Sequence, residues 1–293
     1  MSAAQVVFVT GATGNVGRCL VEILHAAAVR VRGSTRNPKP SALPPGVEVV
    51  EGDPSRPQTI ARALDGVTSL FINPMAVQSA TDELLTLARE QGVKRVVALS
   101  ATNLDDDPNA QPSRMRGVNH QAVEAALLAS GLECIALRTG LHASNSVPMW
   151  AAQIRAGDIV RAPYAGSSSA PIHERDVAAV AAKALVTDAL VGRRPELTGP
   201  QSLTHEQMVK ILGEAIGRPL RYEEIPPERA KQMMLERGFP FPPELIDRLH
   251  ALQAKAVGQR AETTREVETI LGRPALTYAQ WASDHAEMFR KPS

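Results

Sequence analysis

The 293-residue chain is poor in the residues that staple, ligate or anchor. It has only two cysteines, Cys19 and Cys134, which is too few for a disulfide framework and shows no metal-ligand spacing. Both fall on apolar faces of expected elements and read as free buried thiols. No metal site is expected. There are only three tyrosines, Tyr164, Tyr222 and Tyr278. Excess charge is missing too: 32 basic against 31 acidic residues, well mixed, leave a net +1 and no electrostatic footprint for nucleic acid or an anionic membrane. No apolar run approaches the roughly 18 residues of a membrane span, and Met1-Ser-Ala-Ala-Gln5 carries no charged n-region, so a cytoplasmic location is expected. There is no internal repeat and no low-complexity tract. With 44% hydrophobic and 22% charged residues, the chain has the profile of a globular protein of one large domain, or one domain plus an appendage. The composition fixes no oligomeric state.

What the chain does have stands near its beginning. The apolar run Gln5-Val-Val-Phe-Val-Thr10 leads straight into Gly11-Ala-Thr13-Gly14-Asn15-Val16-Gly17. Then Val16, Cys19, Leu20, Ile23 and Leu24 repeat at the spacing of one helical face. The order strand, glycine turn, helix suits a dinucleotide pyrophosphate. Glycines let the chain turn sharply, let backbone N–H groups approach the phosphates, and let the helix lie close to the strand with its positive end on the anion.

Further strands are expected at 29–35, 47–52, 67–72, 93–100 and 133–138. Helices are expected at 58–64, 80–91 and 113–130, the last with Ser113 as N-cap and Gly131 as stop. This alternation predicts an α/β fold with a doubly wound parallel sheet of the Rossmann type, because parallel neighbours need a crossover. The prolines around 38–46 read as turns. Beyond Gly140 longer helices take over, at 147–156, 174–187, 204–217, 227–237, 244–257 and 278–289. The expected domains are residues 1–145 for the cofactor, with a segment near 171–200 returning to the sheet at 196–198, and a smaller, mainly helical substrate cap from 146–170 and 201–293.

The end of the second strand discriminates between cofactors. NAD sites usually carry Asp or Glu there for the ribose hydroxyl, whereas this chain has Arg32-Gly-Ser34-Thr35-Arg36-Asn37-Pro38-Lys39. A guanidinium with a hydroxyl donor suits the 2′-phosphate of NADP, so Arg36 with Ser34 or Thr35 predicts NADP(H) as the cofactor. Ligands in open α/β sheets bind beyond the strands' carboxyl ends. Asp53, as an acceptor for the adenine amino group, Asn73 and Ser100 therefore complete the expected cofactor site.

These pieces resemble the NmrA-like group of atypical short-chain dehydrogenase/reductases. The resemblance is carried by Val9–Gly17, Arg36-Asn-Pro38, Gly52-Asp53, Leu64-Asp-Gly66-Val67, Leu137-Arg138 with Asn145, Ile172-His-Glu-Arg-Asp176-Val-Ala178, Thr198-Gly-Pro200, Gly272-Arg-Pro274 and Tyr278-Ala-Gln-Trp281, nearly the whole chain. It implies a Rossmann-type NADP domain with a smaller cap. The members it implies are either reductases of quinones, carbonyls and similar compounds or cofactor-binding regulators. Active short-chain reductases place Tyr and Lys four apart on the helix expected at 113–130. Aligned on Val123-Glu124, those places hold Arg116 and His120.

His120 can carry a proton near neutral pH, and at i, i+4 it would share a helical face with Arg116, which could hold an oxyanion. Ser100, Arg116 and His120 are thus the catalytic candidates. His142, Tyr164 and Trp150 are the candidates for substrate contact, with Trp150 equally readable as cap core. Met233, Met234, Phe239 and Phe241 could line the pocket. His173-Glu-Arg-Asp176 reads as a helix start, and Asp105-Asp-Asp107 as a solvated loop. The leading expectation is an NADPH-dependent reductase of an apolar carbonyl, enone or quinone-like molecule. The alternative is a non-catalytic NADP(H) sensor reporting to a partner protein. Arg36→Ala should weaken NADPH binding about tenfold or more, the loss of a charge-assisted contact, and leave NADH binding unchanged. Equal affinity of the parent chain for both cofactors, or no loss in the variant, would contradict the assignment; calorimetric titration measures both.

Overall fold

The four residues Val6–Val9 are all buried and form β1, the strand on which the first of two units is built. The computed structural model describes residues 5–38, 43–106, 111–238 and 242–291. Contacts divide the chain into one unit of residues 1–139, 174–197 and 269–272, and a second of 140–173, 198–268 and 273–293.

In the first unit β1 is followed by α1 (Asn15–Ala26), β2 (Arg30–Thr35), β3 (Glu48–Glu51), a 3-10 helix (Pro57–Leu64) and β4 (Ser69–Ile72). Next come α2 (Pro74–Val77), α3 (Thr81–Glu90), β5 (Arg95–Ala101), α4 (Pro112–Met115), α5 (His120–Ala129) and β6 (Glu133–Thr139). The sheet order is β3-β2-β1-β4-β5-β6 and then the two-residue strand Glu196–Leu197, every pair parallel. The expected doubly wound sheet and its returning strand are therefore both present. Leu64, Leu84, Val123 and Leu127 pack from the 3-10 helix, α3 and α5 onto Phe8, Leu70 and Val96. The helix Glu174–Val186 packs on α1 and on β4, β5 and β6.

Strand order reverses at β1, which has β2 on one side and β4 on the other. This is the switch point where such sheets take ligands. Gly11 turns out of β1 at φ +63°, a conformation strained for any residue with a Cβ. A Cβ on Gly17 would stand 2.1 Å from the Gly11 carbonyl oxygen, so only glycine lets α1 start this close to the strand.

The second unit is built around Trp150, Ile154, Val209, Leu212, Tyr278 and Trp281, with the Ser146 and Tyr278 hydroxyls 2.7 Å apart. It holds two small sheets that the sequence pattern did not announce. Ile159–Ala162 runs parallel to Arg221–Glu224, and Ser168–Ser169 antiparallel to Leu203–Thr204. His205 opens the helix His205–Ala215, is 4% exposed and meets Trp150 edge-on at 5.5 Å. Burial pushes its pKa down to about 4. Among the described residues no helix is long and apolar enough to cross a membrane.

Gly17→Ala should force α1 off the strand, destabilising the protein by about 1–3 kcal/mol and weakening dinucleotide binding. Thermal unfolding with and without NADPH measures both, and an unchanged midpoint would contradict the packing described. For His205 the folded pKa lies below the unfolded one, so the unfolded chain gains a proton that the folded chain refuses as pH falls from 6.5 to 4. Stability should drop through that window by about 3 kcal/mol from this residue. Urea titrations across the window should show a flatter slope in His205→Gln; an equal slope would contradict the assignment.

Candidate active site

At the carboxyl end of β1, helix α1 starts with no side chain capping its first amides. Gly14 is its N-cap with no side-chain hydrogen bond, and the first turn holds no acidic residue. Thr13 and Asn15 are exposed beside it, while Val16 and Gly17 turn inward. Bare N–H groups and the helix dipole make this end an anion seat. Asn73, at the end of β4, borders it: a Cβ on Gly11 would lie 2.8 Å from Asn73 Nδ2. Thr10 fixes that neighbour, its hydroxyl donating to the Phe71 carbonyl (3.0 Å) and accepting from Asn73 N–H (2.8 Å). Asn73 Oδ1 in turn caps α2 by accepting from Met75 N–H.

Arg36 is exposed just past β2. Its expected hydroxyl helpers are not available: Ser34 is buried and donates to the Val9 carbonyl, and Thr35 Oγ1 donates to the Asn37 carbonyl and accepts from Asn37 N–H. Strand β2 turns Ser34 inward, and Thr35 closes its own turn. Lys39 lies outside the described residues. Asp53 accepts from both the amide and the hydroxyl of Ser55 and sits 3.4 Å from Arg56. Hydrogen bonding from Ser55, aided by the charges of Arg56 and Arg36, holds its carboxyl below the ordinary range. The residues present thus fit a dinucleotide phosphate: a cradle a Cβ would fill, open amides, and a guanidinium at the strand end.

The helix expected over 113–130 is two helices. Pro112 opens α4, whose N-cap is Gln111 rather than Ser113, and Gly117 at φ +80° breaks the run. Asn119 then caps α5, its side chain accepting from Ala122 N–H at 3.2 Å. Arg116 is the exposed end of α4 and His120 the first residue of α5, so the expected i, i+4 face is not formed. Gly131 at φ +73° ends α5 as expected. The His120 ring is half-buried, and its Nδ1 is buried with no protein partner. Burial lowers its pKa and the charge of Glu124 works the other way. Ser113 Oγ is likewise buried and unpartnered.

Ser100, expected to donate to an oxyanion, donates instead to Glu124 Oε1 at 2.7 Å. Glu124 is 5% exposed and is gripped by Arg138 through Nε–Oε1 (3.0 Å) and Nη2–Oε2 (2.9 Å). Arg194 lies 3.8 Å from it. Burial alone would raise the Glu124 pKa, but the bonds from Arg138 and Ser100 outweigh it and keep the group ionised. Glu124 was not among the residues expected in the site; its burial and its grip by Arg138, near the end of β6, come from tertiary packing that the sequence does not display.

The remaining candidates lie in the second unit. His142 precedes the 3-10 turn Ala143–Asn145, with its backbone bridged to Ile172. Tyr164 holds φ +57° and meets His250 edge-on at 6.4 Å. Trp150 is 1% exposed and packs the core of this unit. Met233 and Met234 are half-buried, whereas Phe239, Phe241 and, in the first unit, Asp107 lie outside the described residues. His173 Nε2 is 3.3 Å from Asp284. Cys19 and Cys134 are free thiols, half-buried rather than fully buried, and burial raises the pKa of both, that of Cys19 to about 11. Among the described residues no group of three potential ligands is placed to hold a metal ion.

The chain is 33% identical over 288 residues to the (4-alkanoyl-5-oxo-2,5-dihydrofuran-3-yl)methyl phosphate reductase of Streptomyces griseus, spanning 97% of this chain and 99% of the relative. It is 32% identical over 289 residues to the NAD(P)H azoreductase of Xenophilus azovorans, with the same coverage. Its fold is similar to that of the NADPH-dependent quinone oxidoreductase QOR2 from Escherichia coli, with a TM-score of 0.76 at 23% identity over 95% of this chain and 98% of that one. The NmrA-like family model matches residues 3–268, and the chain belongs to the NmrA-like family.

Proposed function

We propose that this chain is an NADPH-dependent reductase of apolar carbonyl, enone or quinone-like small molecules. The observation that carries the reading is the glycine cradle beneath the bare amides of α1 at the switch point of the sheet, with Arg36 exposed at the end of the neighbouring strand. Two relatives above 30% identity are reductases, one named for NAD(P)H and the other for a methyl phosphate ester bearing an alkanoyl group on an unsaturated oxo-dihydrofuran ring. A conjugated carbonyl of that kind suits the site proposed here.

The amides of Asn15, Val16 and Gly17 would hold the pyrophosphate and Arg36 the 2′-phosphate, with Asp53 and Asn73 beside the nucleotide. Bound NADPH supplies a hydride. A conjugated acceptor then carries a delocalised negative oxygen, which needs hydrogen-bond donors more than a strong acid. Ser100 has directed its proton to Glu124, so the donors are His120 and Arg116. His120 Nδ1 is buried without a protein partner, so the half-buried ring keeps hydrogen-bonding capacity that no protein group uses, and a proton it gives up is replaced from solvent.

Loss of NADPH absorbance across a panel of quinones, enones and azo compounds tests the reading. Turnover is expected with at least one class, and His120→Ala should lower kcat/KM by about 100-fold, the usual worth of a positioned acid. Full rates in both His120→Ala and Arg116→Ala would discard their roles. Tight NADPH binding with no turnover on any compound would favour the sensor.

A further inference from the structure

We propose that Glu124 is a positioning residue for His120, a fixed carboxylate one turn along α5 that favours a proton on the imidazole. The inference rests on the reading of His120 as proton donor. His120 is the first residue of α5, where two influences oppose an imidazolium: partial burial removes water, and the positive end of the helix repels charge. Glu124 follows at i+4, on the same helical face. Its charge favours the protonated ring, against the burial that lowers the His120 pKa, and a cation on α4, Arg114, is directed to Gln121 Oε1 at 2.7 Å.

The carboxylate can do this only if it stays charged while buried, and the structure supplies the means. Ser100 from β5 and both nitrogens of the Arg138 fork from β6 donate to it, three hydrogen bonds of 2.7–3.0 Å. Arg194 adds a second cation at 3.8 Å. Arg138 is itself shared with Asp105 at 3.3 Å and Glu196 at 3.8 Å. Helix α3, which packs on α5, turns Asp82, Glu83, Arg89 and Glu90 to solvent. A surface acid would be screened; an anion locked between β5, β6 and α5 is not. The bidentate grip of Arg138 fixes the Glu124 carboxylate in place on α5.

The test is a proton NMR titration of the histidine rings of the full chain without ligand, with the His120 signal assigned by its disappearance in His120→Gln. Glu124→Gln should lower the His120 pKa by about half a unit or more. Arg194→Gln, which removes a cation beside the carboxylate, should raise it, and Glu133→Gln at the other end of β6 should leave it in place. An unmoved His120 signal in folded Glu124→Gln overturns the proposal. Should that variant fail to fold by circular dichroism, the absence of an upward shift in Arg194→Gln overturns it equally. The alkaline limb of the kcat/KM profile, where a protonated donor is lost, should move to lower pH by the same amount in Glu124→Gln. A shifted NMR titration with an unshifted limb would discard His120 as the donor while leaving the coupling to Glu124 intact.

Discussion

A hydrogen where every other amino acid has a carbon lets α1 begin against the carbonyl of Gly11. The first turn of that helix lies so close to the strand that a methyl group on Gly17 would fall 2.1 Å from the carbonyl oxygen. The rest of the cofactor side depends on this approach. It places the open helix end at the point where strand order reverses, beside Asn73, which Thr10 holds in place by two hydrogen bonds. Bare amides, a helix dipole and a neighbouring guanidinium follow from a backbone arrangement rather than from any catalytic side chain.

The chemical side is organised differently. Its anchor is a buried carboxylate, Glu124, held by Ser100 and the fork of Arg138. Burying a charge costs several kcal/mol unless its lone pairs are filled, and here three donors fill them. The network ties β5, α5 and β6 together at the carboxyl end of the sheet. It leaves His120 at the head of α5 with an unpartnered ring nitrogen. An acceptor that spreads its charge over a conjugated system lowers the demand on the acid, which makes a weak donor in a fixed place chemically sufficient.

Much of the sheet was legible in the sequence because its strands are buried on both faces and read as short apolar runs between turns, Val6–Val9 and Ser69–Ile72 most clearly. Gly11, Gly17 and Arg36 were legible because each has a backbone or charge requirement that few residues meet. The break at Gly117 was not. A helical period spans Ser113 to Ser130 without it, and a single glycine is as often tolerated as obeyed. The strand Arg221–Glu224 carries three charged residues in four and pairs only because tertiary contacts bring it to Ile159–Ala162. The partners of Ser34, Ser100 and Glu124 lie 14 to 25 residues away, a separation at which spacing carries no signal about side-chain direction.

In the proposed reaction the dinucleotide in this cradle gives a hydride to a bound small molecule. The most direct measurement is the mass of the product formed when an enone is reduced with NADPH carrying deuterium in place of the transferable hydrogen. One deuterium on carbon is expected for each NADPH oxidised. A product formed at the expense of NADPH but free of deuterium would contradict it.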